Sequence, residues 1–207
     1  MFVRATEMQA DPANADVGID LVRREIFPAV SEMDGCVGMS LLVNRDSGRS
    51  IASTAWASAD AMRRSAEAVL PLRGLAEQQM GASGSEVHQW EVAVMHRDHP
   101  TPDGAYARLT WLSGDPAMAG RAIDTFKLAV LPRVQLMDGF CSASLMIDRG
   151  DGRVVGTVAV DSREAVIAGR EAAMEIRERV AGELGATITN VVEMEIAFAH
   201  LHVPEMA

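Results

Sequence analysis

Histidine is the side chain most readily used as a base near neutral pH, and the chain has five: His88, His96, His99, His200 and His202. His88 shares one face of an extended segment with Trp90, Val92 and Val94. It reads either as a hydrogen-bonded core residue or as a general base in a pocket, with no partner adjacent in sequence. His200-x-His202 is too isolated to make a metal site, and no metal is expected. Trp56 follows Ala52 and Thr54 at a spacing of two, so small residues would leave room beside its indole. Packing in the core is the alternative. Arg4, Arg108, Glu91 and Glu195 place charges on strands, where they would form cross-strand ion pairs or point at a ligand. Ser40 and Ser144 lack a base within reach in sequence, so a nucleophilic role is not assigned. The candidate catalytic residues are therefore His88 and Trp56, and the candidate substrate-binding residues are Arg4, Arg108, Thr54, Glu91 and Glu195. No phosphate loop or nucleophile triad appears, and no cofactor is expected.

Several of these candidates come in pairs because the chain maps onto itself. A shift of 104 residues carries Pro28 to Pro132, Met33–Gly35 to Met137–Gly139, and Gly48-Arg49 to Gly152-Arg153. It also carries Arg4 to Arg108 and Glu91 to Glu195, whereas Trp56 meets Val160. The chain is an internal duplication, and both copies should share one fold. The expected limits are 1–97 for the first repeat, 98–104 for a linker and 105–203 for the second. The linker, within RDHPTPDG, carries the Pro, Asp and Gly of an exposed connection.

Each repeat opens on an alternating strand, Phe2–Met8 or Tyr106–Leu112. Asp11-Pro12 and Asp115-Pro116 then supply an N-cap carboxylate and a first-turn proline. Apolar residues at Ala15, Ile19, Val22, Ile26, Val30 and Met33, matched in the second copy, predict an amphipathic helix interrupted near Pro28 or Pro132. Asp-Gly turns lead into strands Val37–Asn44 and Ser142–Asp148. Polar hairpin loops lead on to Ser50–Trp56 and Val154–Val160. Ser58 and Ser162 should cap a second helix, and strands Val87–Met95 and Val191–Ala199 close the repeats. The order βαββαβ, twice, is the ferredoxin-like arrangement. The fold class is α+β, with the two repeats packing sheet to sheet as an intramolecular pseudo-dimer.

Composition narrows the partners. A net charge of −10 argues against a polyanion such as nucleic acid. No apolar run approaches the roughly 20 residues that span a bilayer, and the N-terminal segment has no apolar leader, so the expected place is the cytosol. Cys36 and Cys141 do not coincide under the shift and are expected as reduced thiols.

The stretch Met33–Met62 resembles the antibiotic-biosynthesis monooxygenase-like (ABM-like) family of the dimeric α+β barrel superfamily. The likeness rests on Gly35 and Gly38, the strand–turn–strand that follows, a strand ending in Trp56, and the Ser58-x-Asp60-Ala61 helix start. It implies a dimeric α+β barrel made from the two repeats of one chain. It also implies a cofactor-independent monooxygenase acting on a bulky aromatic or apolar small molecule. The alternatives are a non-catalytic small-molecule-binding barrel and a structural one. Haem degradation would ask for an asparagine on the first strand and a histidine in the second helix, which this chain lacks. A homodimer of the pseudo-dimer is the expected higher assembly.

Overall fold

The computed structural model describes residues 1–201; His202 and the expected end of the second repeat at 203 lie outside them. The first repeat runs β1 (Phe2–Gln9), α1 (Ala15–Leu21), α2 (Phe27–Ser31), β2 (Cys36–Val43), β3 (Arg49–Trp56), α3 (Ala59–Arg64), α4 (Ala66–Met80) and β4 (Ser85–Arg97). The second runs β5 (Tyr106–Ser113), α5 (Ala119–Thr125), α6 (Leu131–Val134), β6 (Phe140–Asp148), β7 (Arg153–Val160), α7 (Arg163–Ala168), α8 (Arg170–Leu184) and β8 (Thr187–Leu201). The expected βαββαβ order holds twice. The strands follow one another as β1-β3-β2-β8-β5-β7-β6-β4 in a closed barrel.

Two compact units are formed, one from Met1–Trp90 with the segment beginning at Glu195, the other from Glu91–Met194. In the first unit β1 and β2 flank β3, with Arg4 opposite Thr54 and Met8 opposite Ser50. β2 then pairs with the end of β8, from Val43↔Glu195 to Gly38↔Leu201. In the second unit β5 and β6 flank β7, and β6 pairs with the end of β4 from Glu91↔Ile147 to Arg97↔Ser142. The last strand of each repeat is therefore longer than its alternation suggested, and its end serves the other repeat's sheet. The physical reason is that β2 and β6 would otherwise present an open row of backbone donors and acceptors.

Local signals act as expected at the helix starts. Asp11 Oδ1 accepts from the Ala13 amide at 2.9 Å and Asp115 Oδ1 from Ala117 at 2.9 Å, though each opens a single 3-10 turn before the α-helix. Ser58 Oγ accepts from Ala61 at 3.1 Å and Ser162 Oγ from Ala165 at 3.2 Å. The interruption near each proline takes a particular form. Residues Val22–Ile26 and Phe126–Val130 are π-helical, with the Phe27 amide donating to Val22 O and Leu131 to Phe126 O. Proline offers no amide and crowds the preceding turn. The wider turn lets the helix continue past it rather than break. The helices pack on one sheet face, burying Val22, Ile26, Val30, Leu41 and Met80 in one unit and Phe126, Val130, Val134 and Leu145 in the other. No helix among the described residues is long and apolar enough to cross a membrane.

The hairpin glycine shows how tightly the loops seat. Gly48 has φ +76, and a Cβ there would lie 2.1 Å from Ala10 O, whereas one on Gly74, in α4, would meet nothing within 4 Å. We predict that Gly48→Ala lowers stability by roughly 2 kcal/mol or more, a fall in Tm of about 4–8 °C. Gly74→Ala should raise stability, by up to about 1 kcal/mol. Thermal melts of the two variants check the contrast. The Cys141 thiol is fully buried and is pushed up to about 11 by that burial, with Asp161 and Asp98 adding to the effect. Iodoacetamide at mildly alkaline pH should therefore leave Cys141 unmodified in the native protein and label it after unfolding, as read by peptide mass spectrometry.

Candidate functional site

Each unit contains a cavity between its helices and its sheet. The first, of about 60 Å³, has Arg4, Thr6 and Met8 of β1 and Ser50, Ala52 and Thr54 of β3 as its floor. Val22, Ile26 and Val30 roof it, and Leu72, Arg73, Ala76 and Met80 of α4 close its side. The second, of about 90 Å³, has the equivalent floor, roof and side. Adding 104 to a residue lining the first cavity gives a residue lining the second at every position but Met39. The amphipathic stripe read from sequence is the roof. Alternation along β1 and β3 places the floor, since residues two apart share a sheet face.

The charged residue buried in each floor is the arginine of the first strand, Arg4 at 4% exposure and Arg108 at 7%. A guanidinium so placed must find acceptors. Arg4 Nη1 donates to Ser65 Oγ at 2.9 Å, and Nη2 donates to Met62 O. Its guanidinium carbon lies 5.8 Å from the centroid of the Trp56 ring. Burial, and after it the positive charge of Arg73, push the Arg4 guanidinium below its ordinary value. Arg108 uses the same elbow, donating from Nη2 to Val166 O and from Nη1 to Gly169 O at 3.3 Å. It also has a carboxylate. Glu193 Oε1 accepts from Arg108 Nη2 at 2.8 Å and Nε at 3.1 Å, and Oε2 accepts from Arg170 Nη2 at 2.5 Å. Burial alone would raise the Glu193 carboxyl, but Arg170 and Arg108 together hold it below its usual range.

The remaining sequence candidates fall in different places. Thr54 lines the first cavity, and its Oγ1 accepts from Trp56 Nε1 at 3.0 Å. Trp56 is fully buried behind Arg4 and Thr54, outside the lining. Glu91 and Glu195 are separated from Arg4 and Arg108. Glu91 is held by Arg149 of the β6–β7 hairpin at 2.7 and 2.8 Å, and Glu195 by Arg45 of the β2–β3 hairpin at 2.6 and 3.2 Å. The hydrogen bonds from Arg149 pull the Glu91 carboxyl below its ordinary value. His88 lies with Nε2 3.7 Å from Glu86 and its ring 6.2 Å from Trp90. His96 contacts Gln135 at 2.9 Å and stacks on Phe140, and His200 lies 4.7 Å from the Phe27 ring. None of these three lines either cavity, and no Asp or Glu does. Among the described residues, no group of three or more His, Cys, Asp or Glu could hold a metal ion.

Sequence reasoning missed Glu193, Ser50 and the arginines Arg73 and Arg177. The last two coincide under the 104 shift and sit on the inner side of the second helix, a signal that was available. Glu193 meets Gln89 under the shift, so only an unmatched position marks it.

No family model matches the chain. The uncharacterized protein Rv2558 of Mycobacterium tuberculosis (strain ATCC 25618 / H37Rv) is 45% identical over 207 residues, covering 100% of this chain and 87% of that protein. The uncharacterized protein Rv2557 of the same strain is 41% identical over 206 residues, covering 100% and 92%. Among solved structures, an anthrone oxidase-like protein superposes with a TM-score of 0.68 at 16% identity, covering 100% of this chain and 94% of the other. A ferredoxin-fold protein related to antibiotic biosynthesis monooxygenases from Listeria monocytogenes gives 0.54 at 9% identity, covering 94% of each chain. A haem-degrading enzyme from the same species gives 0.55 at 8% identity, covering 94% and 99%. These last three likenesses are of fold. The chain belongs to the family of the mycobacterial proteins Rv2557 and Rv2558, and it carries a tandem-duplicated ABM-like fold.

Proposed function

We propose that the protein holds a flat, apolar small molecule between helices and sheet and oxygenates it without a cofactor. The observation that carries this reading is the pair of equivalent cavities, apolar except for a few hydroxyls and arginines, retained in both copies of a duplicated chain. Structural support alone would not keep the same lining open twice, because packed interiors close voids larger than a methyl group. An anthrone oxidase-like protein among the fold neighbours supports this class of chemistry.

That chemistry asks little of the protein. A ring system with an acidic methylene ionises in bulk solvent before it enters, and its carbanion gives electrons to O₂. A C–O bond forms, giving a hydroperoxide. The O–O bond then breaks with loss of the second methylene proton, leaving a carbonyl and one water, so the substrate supplies every electron. What the site must provide is a water-poor slot and a positive charge beside the developing anion. Arg4 and Arg108 are the buried charges there. Both cavities are smaller than the roughly 150 Å³ that admits benzene in a designed apolar void, so a ring system enters only as side chains yield. Met8, Met39 and Met80 line the first cavity and adapt readily.

A second reading, binding without turnover, is favoured by the want of any carboxylate or imidazole in either lining. The haem reading has no imidazole in a cavity to support it.

The experiment is oxygen uptake with a tricyclic anthrone in air-saturated buffer, paired with thermal melts. We predict one O₂ consumed per carbonyl formed, a rise in Tm with ligand, and loss of uptake when Ala52→Leu and Gly156→Leu together fill the cavity floors. A rise in Tm without uptake would leave the binding reading. Neither effect would remove both.

A further inference from the structure

The two cavities are alike in lining and unlike in what the arginine of each floor contacts. In the second, Glu193 takes up the Nε and Nη2 of Arg108 and also pairs with Arg170. In the first, the residue equivalent to Glu193 is Gln89 and the one equivalent to Arg170 is Ala66. Gln89 is exposed and makes no hydrogen bond to Arg4. Arg4, unlike Arg108, forms no ion pair among the described residues, whereas Arg73 and its equivalent Arg177 are alike in forming none. Arg4 spends Nη1 and Nη2 on Ser65 and Met62, while its Nε, the atom that in Arg108 reaches Glu193, has no acceptor among the described residues.

A second, independent feature lies four residues along the floor. Ser50 is 1% exposed, lines the first cavity, and its Oγ has no hydrogen-bond partner. Its equivalent in the second cavity is Val154. The other buried hydroxyl without a partner among the described residues, Thr157, lines neither cavity. An unpaired buried hydroxyl costs of the order of 1–3 kcal/mol, and a buried guanidinium without a counter-charge costs more. Both costs fall on one cavity and are absent from its twin. Arg4 faces Thr54 and Met8 faces Ser50 in the β1–β3 ladder, so Arg4 and Ser50 are about 13 Å apart along the strands.

We propose that the first cavity is an anion site: it takes an apolar molecule whose carboxylate or phenolate sits against Arg4 and Arg73 and whose body runs toward Ser50, while in the second cavity Glu193 already holds the Arg108 donors that an anion would need. This rests on the reading that the cavities bind small molecules. It adds that the duplication has split one ligand preference into two. The carboxylate that Glu193 supplies internally in the second unit is supplied by the ligand in the first.

The test uses the full chain and two one-ring probes of similar shape, 4-fluorobenzoate and 4-fluorobenzyl alcohol, titrated by ¹⁹F NMR at low salt. Benzoate should bind about tenfold more tightly than the alcohol, the size expected of a charge-assisted hydrogen bond. Gln89→Glu, which builds the missing carboxylate at an exposed position, should remove that preference and leave the alcohol within about twofold. Ser50→Val, the residue of the second cavity, should weaken benzoate less than Gln89→Glu does. Glu193→Gln should add a second benzoate equivalent. Equal affinity of the two probes for the unaltered protein would overturn the proposal, as would benzoate binding indifferent to Gln89→Glu. In both cases continued binding of the alcohol would show that the cavity reading itself survives. Failure of both probes to bind would overturn the anion site together with the reading beneath it.

Discussion

A guanidinium held on the floor of an apolar cleft constrains everything around it, because the charge cannot be buried without acceptors. The acceptors come from the elbow where the second helix of each repeat is interrupted. Helix α3 ends at Arg64 and α4 begins at Ala66, and α7 and α8 are divided in the same way around Gly169. The last carbonyls of a helix have no intrahelical partner and carry its negative end. Met62 O and Val166 O are such carbonyls, and the arginines of β1 and β5 take them. One interaction thus ties the first strand to the second helix, sets the helix at its distance from the sheet, and keeps the space beneath it from closing. The helical interruption and the arginine explain each other.

The two repeats satisfy that constraint differently. Around Arg4 stand the Trp56 ring, the Ser65 hydroxyl and Thr54, which accepts from the indole. Around Arg108 the ring position is Val160, the hydroxyls are replaced by Gly169 and Val158, and Glu193 with Arg170 appears instead. A quadrupole and neutral hydroxyls stabilise a cation without cancelling it; a carboxylate cancels it. These substitutions form two coherent sets, each complete in its own unit. Trp56, although absent from the cavity wall, thus bears on the charge of the lining: its ring faces the Arg4 guanidinium without cancelling it.

The duplication made much of the fold readable, because every signal could be checked against its copy. The capping residues Asp11, Asp115, Ser58 and Ser162, the helix stripe and the strand alternation are all local features. The exchange of strand ends was not readable, since nothing in Val87–Met95 says which neighbour its second half meets. The site suffered for a related reason. Comparison of the copies singles out what they share, and Glu91 and Glu195 are shared because both hairpins need an ion pair with Arg149 or Arg45. Glu193 lies on the same strand face as Glu195, one pleat away. Only the pairing register decides which of the two reaches Arg108, and register is a tertiary property.

The roof of each cavity is the stretch whose geometry departs furthest from regular helix. Val22 and Ile26 lie in the first π-helical segment, Phe126 and Val130 in the second, and all four line a cavity. In such a segment each turn is wider than an α-helical one and closes on i→i+5 bonds. The floor backbone is pinned by the β1–β3 and β5–β7 ladders and by the arginines. Room for a ring system would therefore come from lining side chains such as Met8, Met39 and Met80 and from the roof, where Pro28 and Pro132 have already cost the helix its regular bonding. The proline and the wider turn that precedes it occur together over the cavity in both repeats, so the same backbone irregularity that accommodates the imino acid also shapes the cavity roof.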